Sequence, residues 1–133
     1  MFDILSLKGL DDDKARQIAP LALAFVGDTV FDLYVRTHFV ISGGGGAGAL
    51  HRKSSAVVNA RSQAVFAHSI ETLLNEDEKN IYMRGRNAKS GTIPKNMSVA
   101  DYRYATAAEA LVGYLYLTGR MERLKELLSH LEL

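Results

Sequence analysis

The chain has 133 residues, and 47% of them are apolar, which is enough for one compact domain with a hydrophobic core. Its net charge of +1 excludes nucleic-acid binding through bulk positive charge, and the absence of cysteine excludes disulfides and thiolate metal sites. No apolar run approaches the roughly 20 residues that a membrane span needs, and the acidic start does not resemble a secretory signal, so we expect a cytoplasmic protein.

The first half of the chain reads as two long helices joined by glycines. Helical spacing of apolar residues predicts a helix from Pro20 to about Val40, because proline suits a first helical turn. Residues 42–49 contain four consecutive glycines, which cost too much entropy for a regular element, so we predict a flexible surface loop. The pattern then predicts a helix from about Leu50 to Leu74.

The middle of the chain carries a helix start signal and a basic segment. Asn75 with Glu78 three residues later predicts a capping box for a short helix that ends near Arg84. Residues 85–97 read as an ordered loop. This loop is basic and contains no acid, so it can make one face of a nearly neutral protein positive.

The last third of the chain again reads as helix. Ser98 predicts the start of a helix that runs to about Thr118 and is closed by Gly119, and residues 120–133 form a last amphipathic helix. No alternating strand pattern and no internal repeat compete with this reading. The sequence therefore predicts an all-α, single-domain helical bundle over residues 1–133.

Two acids stand on helix faces that are otherwise apolar or small. Asp28 follows Gly27 on an apolar stripe, and Glu109 lies one turn from both Ala105 and Gly113. Small residues let helix backbones approach closely, so a crossing of these two helices would bring the two carboxylates together. In a poorly solvated site such a pair repels and one member takes up a proton, unless a cation is shared. Hard oxygen ligands favour Mg²⁺ or Mn²⁺.

Ion pairing is the other reading of these acids. Single acids in amphipathic helices usually lie at the edge of the buried face, and Arg36 and Arg103 are available as partners. The residue pattern alone leaves both readings open.

Two segments resemble the acidic helices of the ribonuclease III family. LALAFVGDTVFDLYVR, residues 21–36, resembles the signature helix, and TAAEALVGYLYL, residues 106–117, resembles the second acidic helix. LHRKSSAVVNARSQA resembles the intervening helix, while RGRNAKSGTIPKN followed by YRYATAAEAL resembles the short bacterial Mini-III branch. The likeness covers roughly residues 18–119, so we expect the catalytic domain without the double-stranded-RNA-binding domain of longer members.

Two positions depart from the pattern of full-length ribonuclease III. The family has a Glu four residues before the signature Asp and an Asp three residues before the second-helix Glu, whereas this chain has Ala24 and Thr106 there. Mini-III enzymes resemble this reduced set. The resemblance therefore carries over only Asp28 and Glu109 as catalytic residues and metal ligands.

The resemblance implies a homodimeric endoribonuclease that cleaves double-stranded RNA with Mg²⁺, for which Mn²⁺ can substitute, and leaves 5′-phosphate and 3′-hydroxyl ends. It further implies maturation of precursor large-subunit (23S) ribosomal RNA. Thr106 is a candidate to orient a metal-bound water, and Asp32 is a candidate hydrogen-bond acceptor one turn beyond Asp28. Phe25 and Val26 match the part of the signature helix that forms the subunit contact, which implies a twofold interface.

The residues that could contact an RNA backbone share basic or hydrogen-bonding side chains. A-form RNA is recognised through phosphates and 2′-hydroxyls rather than base edges. The candidates are Arg84, Arg86, Asn87, Lys89, Ser90, Lys95, Arg52, Lys53 and His51.

Two rival functions remain at this point. A non-catalytic RNA-binding module on the same fold, assisting ribosome assembly, would bind RNA without needing Asp28 or Glu109. A helical interaction protein would show no salt-dependent binding to duplex RNA.

Overall fold

The computed structural model describes residues 7–89 and 92–133, and all regular secondary structure in these ranges is helical. Within them, no helix combines the length and the apolar character needed to cross a bilayer. The predicted all-α fold class is confirmed. The seven α-helices of the described ranges are α1 (Asp12–Gln17), α2 (Pro20–Ile41), α3 (Ala47–Val57), α4 (Ala60–Ile70), α5 (Glu76–Asn87), α6 (Val99–Leu117) and α7 (Met121–Leu128).

Helix α6 forms the centre of the bundle, with α2, α4 and α5 packed around it. It is buried on every side over its second half, where alanines, leucines and Tyr114 replace the polar face that a surface helix would show. Helix α7 covers one end through Leu124, Leu127 and Leu128. Because the central helix carries Glu109, the acid is held by a helix that packs against α2, α4 and α5.

Three signals that predicted where helices begin or end are confirmed. Helix α2 begins at Pro20. Asn75 and Glu78 form both arms of the capping box of α5. Ser98 caps α6, and Gly119 follows it with a φ of 72°, a left-handed conformation that favours glycine.

The prediction of one helix from Leu50 to Leu74 is wrong. The chain forms α3 and α4 with a break at Val58 and Asn59, followed by a 3₁₀ turn at Glu71–Leu73. Asn59 causes the break because its side chain accepts a hydrogen bond from the Ser62 amide and starts a new helix.

The predicted loops and the last helix are also shorter than expected. Helix α3 begins at Ala47, so the glycine-rich loop spans 42–46 rather than 42–49. Helix α5 runs to Asn87 rather than ending near Arg84. Gly85 does not end the helix; it lets α5 pack closely on α6, since an added Cβ would lie 3.0 Å from the Ala107 Cα. The last helix spans Met121–Leu128 rather than 120–133.

Candidate active site

Helices α2 and α6 cross with their backbones in contact at two glycines. A Cβ added to Gly27 would lie 1.7 Å from the Glu109 carbonyl oxygen, and one added to Gly113 would lie 2.0 Å from the Leu23 carbonyl oxygen. Any larger residue would force the helices apart. The expected close crossing is therefore present, with Gly27 and Gly113 at the contact.

This crossing brings the carboxyl group of Asp28 close enough to that of Glu109 to raise the pKa of Glu109. Asp28 is exposed, which corrects the expectation that it lies on a buried stripe, whereas Glu109 is half-buried. Asp28 lines an open cleft of about 230 Å³ together with Thr29, Asp32, Arg36, Ser54, Ser55 and Val58. One acid of the pair is thus reachable from solvent, and the other lies behind it.

The environment of Glu109 disfavours its charged form. Burial, the hydrogen bond with Asp28 and the charge of Asp28 raise the pKa of Glu109 to about 8, although a hydrogen bond with Gln63 acts in the opposite direction. A half-buried carboxyl group beside a second acid behaves in this way when no positive charge pairs with it.

Neither arginine proposed as an ionic partner fills that role. Arg36 pairs with Asp32, with 3.0 Å between Nε and Oδ1. Arg103 is exposed, and no ion pair found within residues 7–89 and 92–133 includes Asp28 or Glu109. The pair therefore lacks the counter-charge that a structural ion pair would have.

The two proposed supporting residues lie in different surroundings. Asp32 is half-buried and lines the same cleft as Asp28, one helical turn away. Thr106 is buried, and its hydroxyl donates to the Tyr102 carbonyl oxygen of its own helix at 2.9 Å. The hydroxyl proton of Thr106 is thus used within α6, and a role in orienting water stays a prediction.

Gln63 is a functional candidate that the sequence reasoning missed. It lies on α4, is 5% exposed, and acts to lower the pKa of Glu109. The sequence shows only a glutamine among the alanines that form the buried face of α4. It becomes a candidate once α4 is known to pack on α6, the helix that carries Glu109.

The candidate RNA-contacting residues fall into two groups. His51, Arg52, Lys89 and Lys95 are exposed. Others already contact protein groups: Lys53 donates to the Gly44 carbonyl oxygen at 3.0 Å, Arg84 to the carbonyl oxygens of Arg16 and Ile18, and Arg86 to the Asn87 side chain. Ser90 lies outside the described residues. All of these assignments stay predictions.

Phe25 and Val26 lie beside a large apolar groove. Phe25 is 80% exposed, which is unusual for an aromatic side chain on a core helix. The groove has a volume of about 900 Å³ and is lined by α2 and α7, with Val30, Leu33, Met121, Leu124 and Leu128 among its residues. Exposed apolar surfaces of this size usually mark sites of interaction with another molecule.

The donor set at the crossing fits a hydrated magnesium ion. Among the described residues, no group of three or more His, Cys, Asp or Glu side chains is arranged to hold a metal, so Asp28 and Glu109 would be the carboxylate ligands. Mg²⁺ keeps several waters and commonly uses one or two carboxylates, and the open cleft beside Asp28 leaves room for those waters.

The all-helical fold and both acidic helices lie within a segment that matches one known family. Residues 21–120 match the Ribonuclease III domain family. The chain is 50% identical over 112 residues to a Mini-ribonuclease 3 from Thermoanaerobacter sp. (strain X514), covering 84% of this chain and 79% of that relative. It is 43% identical over 116 residues to a Mini-ribonuclease 3 from Enterococcus faecalis (strain ATCC 700802 / V583), covering 86% and 88%.

A solved structure gives the same result for the fold. A crystal structure of a protein from Fusobacterium nucleatum matches with a TM-score of 0.80 at 32% identity, over 90% of this chain and 94% of that one. The chain belongs to the ribonuclease III family, in its Mini-ribonuclease 3 group, and is an endoribonuclease of the ribonuclease III type.

Proposed function

We propose that the protein cleaves double-stranded RNA by divalent-metal-dependent hydrolysis at Asp28 and Glu109. The observation that carries this proposal is that Glu109 lies beside Asp28, which lines an open cleft, and that no arginine or lysine forms an ion pair with either acid within residues 7–89 and 92–133. A structural ion pair would place a cation there, whereas a metal site leaves the position open.

Asp28 and Glu109 would hold Mg²⁺, or Mn²⁺ in its place. When bound, the metal lowers the pKa of a coordinated water and offsets charge that builds on the scissile phosphate. Asp28, at the cleft, presents its carboxylate to the substrate side, and Glu109 supports it from the packed helix behind. Water attack at phosphorus gives a 5′-phosphate and a 3′-hydroxyl end, and the chain needs no histidine or cysteine nucleophile.

The test compares Asp28→Asn and Glu109→Gln with Glu132→Gln, which removes one exposed carboxylate elsewhere. We expect both site variants to lose cleavage of a long RNA duplex by at least about a thousandfold while keeping their helical content and RNA affinity. The Glu132 variant is expected to cleave at the wild-type rate. Near wild-type cleavage by either site variant would remove that residue from the site.

The same experiment separates the rival function. A non-catalytic RNA-binding module would bind the duplex but leave it intact in both Mg²⁺ and Mn²⁺, in the wild type as in the variants. Cleavage products whose ends depend on the metal would exclude it.

The exposed basic side chains support backbone contacts with RNA. We propose that the basic segment from Arg84 to Lys95, with His51, Arg52 and Lys53 of α3, follows the phosphates of an A-form duplex. Replacing Lys89 and Lys95 by Gln should weaken RNA binding. It should also make the slope of log K against log salt concentration shallower by about one for each charge removed. Unchanged binding across a salt series would remove the segment from the interface.

The groove beside Phe25 supports a homodimer. One domain of this size cannot reach both strands, whereas a twofold partner would place a second carboxylate pair on the other strand. Phe25 from each copy would enter the apolar groove of the other, between α2 and α7. Phe25→Glu is expected to give a monomer by sedimentation, with Leu73→Glu, an exposed apolar residue outside the groove lining, as the matched control.

For the natural substrate we propose precursor 23S ribosomal RNA in the bacterial cytoplasm, on the likeness to the Mini-ribonuclease 3 group. Incubation with precursor and mature large-subunit RNA, followed by mapping of the ends, tests this. Cleavage at the boundary of the mature RNA supports it, and cuts scattered through the precursor contradict it.

A further inference from the structure

The cleft beside Asp28 also contains an arginine. Thr29, Asp32 and Arg36 of α2 line the cleft together with Asp28. Because Asp28, Asp32 and Arg36 follow one another at intervals of four residues, their side chains lie along one face of the helix. The proposed hydrolysis at Asp28 and Glu109 assigns no task to this arginine.

Asp32 fixes the direction in which the Arg36 side chain points. The Arg36 Nε donates a hydrogen bond to Asp32 Oδ1 at 3.0 Å. Since Asp32 precedes Arg36 by one turn, the guanidinium is directed back along α2 toward Asp28 rather than toward the end of the helix. It is thereby held near the level of Asp32, which lies about 6 Å from Asp28 along the helix axis.

The pair with Asp32 leaves most of the Arg36 guanidinium available. Of its five N–H donors, this hydrogen bond uses the one on Nε. Within residues 7–89 and 92–133, the N–H donors on the two terminal nitrogens of Arg36 form no hydrogen bond. The side chain is 62% exposed, so a ligand can reach these donors. An anchored guanidinium with its fork open is suited to bind two oxygens of one phosphate.

Helix α3 adds hydroxyl groups to the same cleft. It packs against α2, and Ser54 and Ser55 line the cleft from this helix. Serine hydroxyls are common donors to phosphate and sugar oxygens in protein complexes with nucleic acids. The cleft therefore offers N–H and O–H donors beside the acid of Asp28, a set that suits the backbone of an RNA strand.

We propose that Arg36 is a substrate-binding residue, whose terminal N–H groups donate to the oxygens of the phosphate next to the one cleaved at Asp28, on the same RNA strand. One helical turn is close to the separation of neighbouring phosphates, so a strand can pass along this face of α2. Asp32 is then the residue that positions Arg36. The inference rests on the proposed binding of double-stranded RNA and does not depend on a metal.

The test measures binding of a short RNA duplex without divalent metal, so that affinity is read separately from metal-dependent cleavage. Arg36→Gln should raise the Kd about tenfold, because it removes charge-assisted hydrogen bonds to a phosphate. The double variant Asp32→Asn with Arg36→Gln keeps the net charge of the wild type and should show the same loss. Lys79→Gln removes an exposed positive charge at the start of α5 and is the control, with a change in Kd below about twofold.

Two further measurements separate a direct contact from a general effect of charge. Arg36→Lys keeps the charge but not the fork, so the salt dependence of binding should stay near that of the wild type, with a smaller rise in Kd than in Arg36→Gln. A methylphosphonate in place of the phosphate next to a mapped cleavage site should weaken binding to the wild type but not to Arg36→Gln. Because Arg36 is exposed, we expect these variants to keep the helical content of the wild type.

The outcomes distinguish this inference from the proposed hydrolysis. Wild-type affinity in Arg36→Gln and in the double variant overturns the contact, and so does a methylphosphonate effect that persists in Arg36→Gln. A wild type that binds the duplex but never cleaves it contradicts the hydrolysis, and a tenfold loss of affinity in both variants would still support the contact. A wild type that does not bind duplex RNA overturns both.

Discussion

Glu78 and Glu109 are both glutamates on helices packed in the bundle, and their surroundings have opposite effects. Glu78 is 2% exposed and meets the Arg123 guanidinium through two hydrogen bonds of 2.8 Å. Burial acts to raise its pKa, but the hydrogen bonds of Arg123 and of the Asn75 amide outweigh burial and lower it. Glu109 has Asp28 beside it instead of an arginine, and its pKa is raised to about 8.

The comparison shows two ways in which the fold treats an acid that is removed from solvent. At Glu78 the protein supplies the cation itself, and the carboxylate fixes the start of α5 and joins it to α7. At Glu109 the described part of the protein supplies no cation, and one amide, that of Gln63, favours the charged form of the carboxyl group. A carboxylate without its own counter-charge is suited to take one from solution.

The largest expected effect comes from breaking the crossing that creates the Glu109 environment. Gly27→Ala would place a Cβ 1.7 Å from the Glu109 carbonyl oxygen, so α2 must move, and we expect the free energy of unfolding to fall by at least about 4 kcal/mol. Urea unfolding measures this. Gly48→Ala makes the same change on exposed α3, where the nearest atom is 3.5 Å away, and should stabilise by up to about 1 kcal/mol.

The second effect converts Glu78 into an acid without a partner. Arg123→Met removes the ion pair and the hydrogen bond to the Leu73 carbonyl oxygen, so we expect a loss of about 3 kcal/mol in the free energy of unfolding. Arg61→Met removes an exposed arginine and should change stability by less than about 0.5 kcal/mol. A loss at position 123 no larger than at position 61 would show that Glu78 does not need its cation.

The smallest effect is a pH dependence of opposite sign at the two acids. The pKa of Glu109 is about 8 in the folded protein and 4.5 in an ordinary chain, so the folded state binds more protons between these values. Metal-free protein should therefore lose stability as pH rises from 5 to 8, by about 1–2 kcal/mol because solvent reaches Asp28 and screens the pair. Glu78, with its lowered pKa, loses its contribution as pH falls below about 4.5.

Glu109→Gln checks the assignment of that slope. The variant should abolish the loss between pH 5 and pH 8 in thermal or urea unfolding, whereas Glu122→Gln, an exposed carboxylate on α7, should retain it. A slope that survives in Glu109→Gln belongs to another group.

Local signals in the sequence were sufficient for features that depend on neighbouring residues. The start of α2 at Pro20, the capping box at Asn75 and Glu78, and the turn at Gly119 each follow from a few adjacent side chains. The convergence of the two acids was also accessible, because small residues beside each acid indicate a close crossing.

Features that depend on distant packing could not be predicted in the same way. Gly85 resembles a helix end in sequence but lies within α5, because α6 leaves no room for a side chain there. Arg84 belongs to a basic segment but donates to carbonyl oxygens 66 and 68 residues away. Gln63 likewise acts on the pKa of Glu109 only because α4 packs on α6.

The contact at Gly27 and Gly113 has a consequence for engineering. Since main chain meets main chain there, the separation of Asp28 and Glu109 is insulated from the shapes of surrounding core side chains. Libraries that redesign the hydrophobic interior for heat resistance can vary those side chains widely while these two glycines hold the spacing of the two acids constant.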